Sequence, residues 1–163
     1  MKQFKKQFFI ILSIVSFVFA LSISISVNAS EQSNTITEIE YLENGDYIET
    51  ILEYDTYSSI TLFSSSKTIS GSKTARYKSG STTLWAVKVN GTFSYNGSSS
   101  KCTNSSVTTT SSVKTWYISS SSASKSKNSA TAKATAQRKV SGTILQTVTR
   151  SVTLSCSKSG KLS

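Results

Sequence analysis

Residues 129–156 read SATAKATAQRKVSGTILQTVTRSVTLSC. In the first half, Ala130, Ala132, Ala134 and Ala136 alternate with polar residues. In the second, Ile144, Val148, Val152, Leu154 and Cys156 share even positions. A period of two marks a strand with one buried face. Ser141-Gly142-Thr143 marks a turn between the halves, so the stretch predicts a β-hairpin. A regular two-residue turn would set the alanines opposite Thr147, Thr149, Ser151 and Thr153, mixing inside with outside. A three-residue loop sets Val140 opposite Ile144, Ala136 opposite Val148, Ala132 opposite Val152 and Ala130 opposite Leu154. A slip of one residue inverts every side chain, so the three-residue loop is expected, with Gly142 at positive φ. That register also places Arg150 among apolar neighbours, opposite Ala134, where it snorkels to the sheet edge or joins a ligand pocket. The alanine face is shallow and needs a bulky cover, which Trp85 or Trp116 from a second sheet would supply.

The pattern extends upstream. In TLWAVKVNGTFSY (residues 83–95), Trp85, Val87, Val89, Phe93 and Tyr95 share one face, and Gly91 interrupts it as a bulge or bend. A loop of Ser79-Gly80-Ser81 would set Tyr77 opposite Thr83 and Ala75 opposite Trp85, a small residue facing a large one. Repeated hairpins predict an all-β fold, an antiparallel β-sandwich. The order Cys102, Trp116, Cys156 points to an immunoglobulin-like layout, although Leu154 stands where that layout has a tyrosine. The even cysteine count in an exported chain predicts one disulfide, Cys102 to Cys156.

Export itself is read from residues 1–29. Lys2, Lys5 and Lys6 precede an apolar run from Phe8 to Ile25, and Val27-Asn28-Ala29 supplies a small-residue cleavage site. This is the order of a secretory signal peptide. Cleavage would leave no transmembrane helix, and no hydrophobic tail or sorting signal follows, so the expectation is a protein either free or held by non-covalent contacts. Residues 30–66 then form an acidic N-terminal segment and residues 67–163 a basic β-sandwich domain. Residues 30–37 read as loose and polar, 55–66 as a connector with an apolar patch at Ile60–Phe63.

The charge is divided sharply. The segment EIEYLENGDYIETILEYD (residues 38–55) holds seven of the eight acidic residues, and none follows Asp55. Asn44-Gly45 is a strong turn signal and predicts a hairpin here. A two-residue turn would set Glu40 opposite Glu49, a like-charge clash that nearby cations would relieve. The carboxylates are therefore expected to dock on the protein's own basic sheet, as an added hairpin or edge strand.

The residue inventory restricts the chemistry. There is no histidine, and the domain from Thr56 onward has no carboxylate. A Ser-His-Asp triad, a paired-carboxylate site and a His-based metal site are thus excluded there. Ser-x-x-Lys spacing recurs at Ser64–Lys67, Ser70–Lys73, Ser122–Lys125, Ser124–Lys127 and Ser155–Lys158, as chance predicts in a chain this rich in both residues. No enzyme activity and no cofactor are expected. Lys73, Arg76, Lys78, Lys88, Lys133, Arg138, Lys139 and Arg150 are the candidate polyanion-binding residues, because an unopposed positive field attracts anionic polymers. Teichoic acid, anionic lipid and sulfated glycan are the expected partners. No base-reading motif supports specific nucleic-acid binding.

Four segments, YLENGDYIET, GTFSYNGSSSKC, NSATAKAT and VTLSCSKSGKLS, together resemble small secreted β-rich proteins of Gram-positive bacteria. The resemblance implies export, a paired cysteine core and a β-rich domain. It implies no activity and carries no catalytic residue. The resulting expectation is a secreted, non-catalytic protein that engages anionic envelope or glycan polymers and is held at the cell surface by charge. The alternative is a bacteriocin-like or membrane-active antagonist masked by its acidic segment.

Overall fold

A computed structural model describes residues 32–56 and 66–163. Residues 1–29, expected to be a signal peptide, and the Ile60–Phe63 patch lie outside them. Eight strands follow in order: β1 Gln32–Tyr41, β2 Tyr47–Thr56, β3 Lys67–Ser79, β4 Thr82–Tyr95, β5 Ser100–Ser111, β6 Trp116–Ser126, β7 Ser129–Val140 and β8 Thr143–Ser155. They form two antiparallel sheets, a large one in the order β1-β2-β3-β4-β5 and a small one in the order β6-β7-β8. Each sheet therefore runs in chain order. An immunoglobulin layout instead exchanges strands between its sheets.

The two inner faces share one core. Ala130, Ala132, Ala134 and Ala136 are buried, and Trp85, Val87, Val89 and Phe93 of the large sheet join them in a single cluster. Trp85 thus covers the alanine row from the opposite sheet, as the shallow face requires. Trp116 also enters the core, but from the alanines' own sheet. Tyr77 lies nearly parallel to Trp85 at 6.1 Å between ring centroids and meets Trp116 at 5.6 Å. At Gly91, β4 comes close to β7. A Cβ there would stand 2.7 Å from the Phe93 ring and 3.1 Å from the Ala130 Cβ. Phe93 folds back over its own strand into the space a side chain would fill. The β-bulge sits one residue beyond Gly91, between Thr92 and Phe93.

Two hairpins differ from expectation in the same way. Ala136 does pair with Val148, Ala132 with Val152, Ala130 with Leu154 and Arg150 with Ala134. The turn, however, has two residues, with Val140 opposite Thr143 and a bulge between Arg138 and Lys139. Ser141 (φ 49°) and Gly142 (φ 86°) both adopt positive φ, the geometry that matches strand twist in a tight hairpin. The bulge then restores the register that keeps the alanines inside. At β3–β4, likewise, Ser79 pairs with Thr82, a bulge follows, and Tyr77 faces Trp85 while Ala75 faces Val87. Two large aromatic residues meet across the strands instead of a small one and a large one, because aromatic contact rewards that register.

The cysteines also depart from expectation. Cys102 and Cys156 are buried free thiols, not a disulfide. Each backbone amide is fixed on the β6–β7 turn, Cys102 N on the Lys127 carbonyl at 2.7 Å and Cys156 N on the Asn128 carbonyl at 3.0 Å. The thiols donate to separate carbonyls, those of Asn104 and Ser157. Burial pushes both thiols above the usual range, which keeps them protonated and slow to react.

Replacing Gly91 with Ala is expected to destabilise the protein by about 1–3 kcal/mol, because the core there has no room for a methyl group. Urea denaturation of the variant beside the parent protein measures this, and equal midpoints would contradict the packing described.

Candidate functional site

The acidic segment is a hairpin built into the large sheet, and β1 begins at Gln32, inside the stretch expected to be loose. Its connection spans Leu42 to Asp46. Leu42 N donates to the Asp46 carbonyl at 2.8 Å and Gly45 N to the Leu42 carbonyl at 3.1 Å. Gly45 has φ 83°, as the Asn44-Gly45 signal requires. This longer connection shifts the register: Glu40 faces Ile48 and Ile39 faces Glu49. No glutamates oppose each other directly at these positions, so the feared like-charge pair is avoided within the hairpin itself.

β2 pairs with β3, and this pairing joins acid to base. Glu49 lies opposite Arg76. The Arg76 guanidinium donates to its carboxylate at 2.9 Å, with Lys78 on the other oxygen at 3.5 Å. Glu53 reaches Lys88 at 3.6 Å. The Arg76 hydrogen bond, against a partly offsetting burial, holds the Glu49 carboxyl below its ordinary range, and Lys78 adds to this. Asp46 accepts a hydrogen bond from Tyr77 Oη at 2.8 Å and one from Asn44 Nδ2 at 2.8 Å. Burial works to raise Asp46, but Ser79, Tyr77, Asn44 and the Arg138 charge outweigh it and keep the carboxyl low. Beneath these polar contacts Ile48 and Leu52 are buried in the common core.

The eight candidate cations are therefore not one surface. Arg76, Lys78 and Lys88 stand on the outer face of the large sheet, each against a carboxylate. Lys73 lies on the inner side and lines a groove of about 190 Å³ with Glu38, Thr50, Leu52, Lys161, Leu162 and Ser163. Arg150 faces inward opposite Ala134, half-buried, and its Nε is buried without a hydrogen-bond partner. Lys133, Arg138 and Lys139 are exposed on β7.

The small sheet contains no Asp or Glu. Its outer face is a field of hydroxyls. Thr131 and Thr153, Thr135 and Thr149, and Ser129 and Ser155 pair across β7 and β8 at 2.9 Å. Lys133 stands in the middle of this field, between Ser122 on β6 and Ser151 on β8. Lys139 Nζ lies 6.0 Å from the centroid of the Tyr117 ring, and Lys125 Nζ donates to the Thr103 carbonyl at 2.6 Å.

The Ser-x-x-Lys pairs within strands do not become dyads. Residues three apart in a strand point to opposite faces. Ser70 Oγ pairs with Thr92 Oγ1 and Ser155 Oγ with Ser129 Oγ. Among the described residues no group of three His, Cys, Asp or Glu could hold a metal ion.

Sequence reasoning missed the Asn44–Asp46–Tyr77 contact, which spans 31 residues between Asp46 and Tyr77 and leaves no local pattern. It also assigned Val140 and Ile144 to the inner face, whereas both are exposed. The bulged residue, Leu145, turns Ile144 to the face of Lys139, and Val140, opposite Thr143, is exposed at the hairpin's end; no short motif announces a bulge.

No protein-family model matches the chain, and no curated protein or solved structure matches it either.

The lowered Glu49 and Asp46 carboxyls contribute stability that is present above their unfolded pKa, about 4, and lost as pH falls through the lower folded values. Amide hydrogen exchange in β1 and β2 is expected to speed up below about pH 4 before exchange in β4 and β7 does. Uniform acceleration across all four strands would show that these carboxylates do not hold the hairpin specifically.

Proposed function

We propose that the protein is an exported, non-catalytic binder of anionic envelope or glycan polymers, and that the small sheet is its binding side. One observation supports this reading above the rest: the carboxylates of the described residues belong to β1, β2 and the connection between them, while β6, β7 and β8 carry only cations. The hairpin pairs with Arg76, Lys78 and Lys88 on the large sheet; on the small sheet its Asp46 acts at longer range on Arg138, and Lys133 stands among hydroxyls without a carboxylate on its own sheet. A flat face of hydroxyls around Lys133 suits a polymer of repeated phosphate or sulfate groups and alcohols, because it offers a positive charge and donors without demanding one bound conformation. Teichoic acid and sulfated glycan have that chemistry, and contact with them would hold an exported protein at the cell surface by charge.

A second reading has its own support. The acidic hairpin covers basic residues of the large sheet, as a masked antagonist would require. Ile48 and Leu52 argue for the first reading, since releasing the hairpin would expose two core side chains.

Binding to purified wall teichoic acid at low salt is expected, weakening steeply between about 50 mM and 500 mM salt as screening shortens the reach of the charges. Lys133→Gln should reduce affinity by roughly twofold to fivefold, in line with one exposed charge contact, whereas Arg76→Gln should change it little. Salt-insensitive binding, or equal loss in both variants, would refute the small sheet as the binding side.

A further inference from the structure

Among the described residues five large apolar side chains are exposed: Ile39, Tyr41, Val140, Ile144 and Leu145. All lie at the end of the sheets that carries the turns after β1, β3 and β7. They form two groups of opposite electrostatic character. Ile39 and Tyr41 stand on β1 among Glu38, Glu40 and Glu43. Val140, Ile144 and Leu145, exposed by 39, 49 and 59 %, occupy the tip of the β7–β8 hairpin.

The tip is well built. Its two-residue turn is closed by the positive-φ pair Ser141 and Gly142. Lys139 N donates to the Thr115 carbonyl at 2.7 Å, which ties the β5–β6 loop, with exposed Lys114, to its base. Arg138, Lys139 and Lys114 therefore stand at the base of the tip that carries the three apolar side chains. Among the described residues none of the three cations has a carboxylate within ion-pair distance, and of the three Arg138 is the one whose charge acts on Asp46 at longer range. Tyr117, whose ring faces the Lys139 amine, completes the base.

We propose that this tip docks on an anionic lipid bilayer. Val140, Ile144 and Leu145 enter the boundary between headgroups and acyl chains, and Lys114, Arg138 and Lys139 stay at the level of the lipid phosphates. Apolar side chains in water gain by entering that boundary, and cations flanking them gain from the negative surface potential. Tyrosine suits the same depth, apolar over its ring and polar at its hydroxyl. A symmetric contact with a second copy would bring the same cations against each other, which disfavours self-association through this tip. The acidic β1 edge is repelled from the same membrane, so the molecule would tilt with its small sheet toward the lipid. This inference rests on the polyanion reading for its electrostatic half, and the apolar half is additional.

The test compares the full chain with the double variant Ile144→Ser/Leu145→Ser, after circular dichroism has shown both to be folded. Each is sedimented with phosphatidylglycerol-containing vesicles, with phosphatidylcholine vesicles, and titrated with a soluble sulfated glycan. The parent is expected to bind the anionic vesicles, and the variant to lose roughly tenfold or more of that affinity, the effect of withdrawing two aliphatic side chains from burial. Glycan binding should be unchanged. In a Leu145→Trp variant, emission should shift to the blue on anionic vesicles. Equal vesicle binding by parent and double variant, or no emission shift, overturns the proposal and leaves charge alone. Tip-dependent vesicle binding without glycan binding would uphold it and refute the polymer reading. A dimer in sedimentation velocity that the double variant abolishes would overturn it in favour of a second copy.

Discussion

The contact between the alanine row of β7 and the aromatic face of β4 governs the rest of the molecule. Two sheets pack about 10 Å apart, and side chains from both sides must fill that space once. Ala130, Ala132, Ala134 and Ala136 present little bulk, so Trp85 and Phe93 can lie across the gap, and Gly91 gives way to the Phe93 ring. The burden of core volume falls on the large sheet. The small sheet is then free to devote its other face to hydroxyls and cations, since its stability comes from the face that is covered.

The same division explains the charge. On the outer face of the large sheet Arg76, Lys78 and Lys88 stand beside Glu49 and Glu53, which β2 supplies. The hairpin is therefore doubly anchored, by carboxylates on one side and by Ile48 and Leu52 on the other. Ion pairs this exposed contribute little each, and the buried isoleucine and leucine carry more of the docking. What the carboxylates add is direction: they leave the net positive field on the small sheet. A proposed binding side thus follows from where the negative charge is placed, more than from where the lysines are.

Much of this was legible in the residues. The alternation of the alanines with Thr131, Lys133 and Thr135 identified β7 and its buried face, and the pairing of Ala132 with Val152 followed from it. Asn44-Gly45 located the first hairpin, and the concentration of acid in residues 38–55 pointed to docking on the basic sheet. Turn lengths were not legible, because a two-residue turn with a bulge and a three-residue loop deliver the same inner face. The difference lies in backbone twist, which tight positive-φ turns satisfy better. Nor did the cysteines disclose their state: an even count says nothing about the directions in which two thiols point.

By itself the sequence determined the secondary structure class, the inner faces away from the β7–β8 turn and the segregation of charge, since these depend on a period of two and on composition. Only the tertiary structure decided which cations remain free. Arg76 and Lys133 are both basic residues on wet strand faces, indistinguishable in the chain. Arg76 lies beside Glu49 because β2 adds to the edge of β3, and Lys133 lies among serines because β6 and β8 flank β7. Strand adjacency joins residues far apart in sequence, so the field each cation sees is set by pairing partners that no local pattern names.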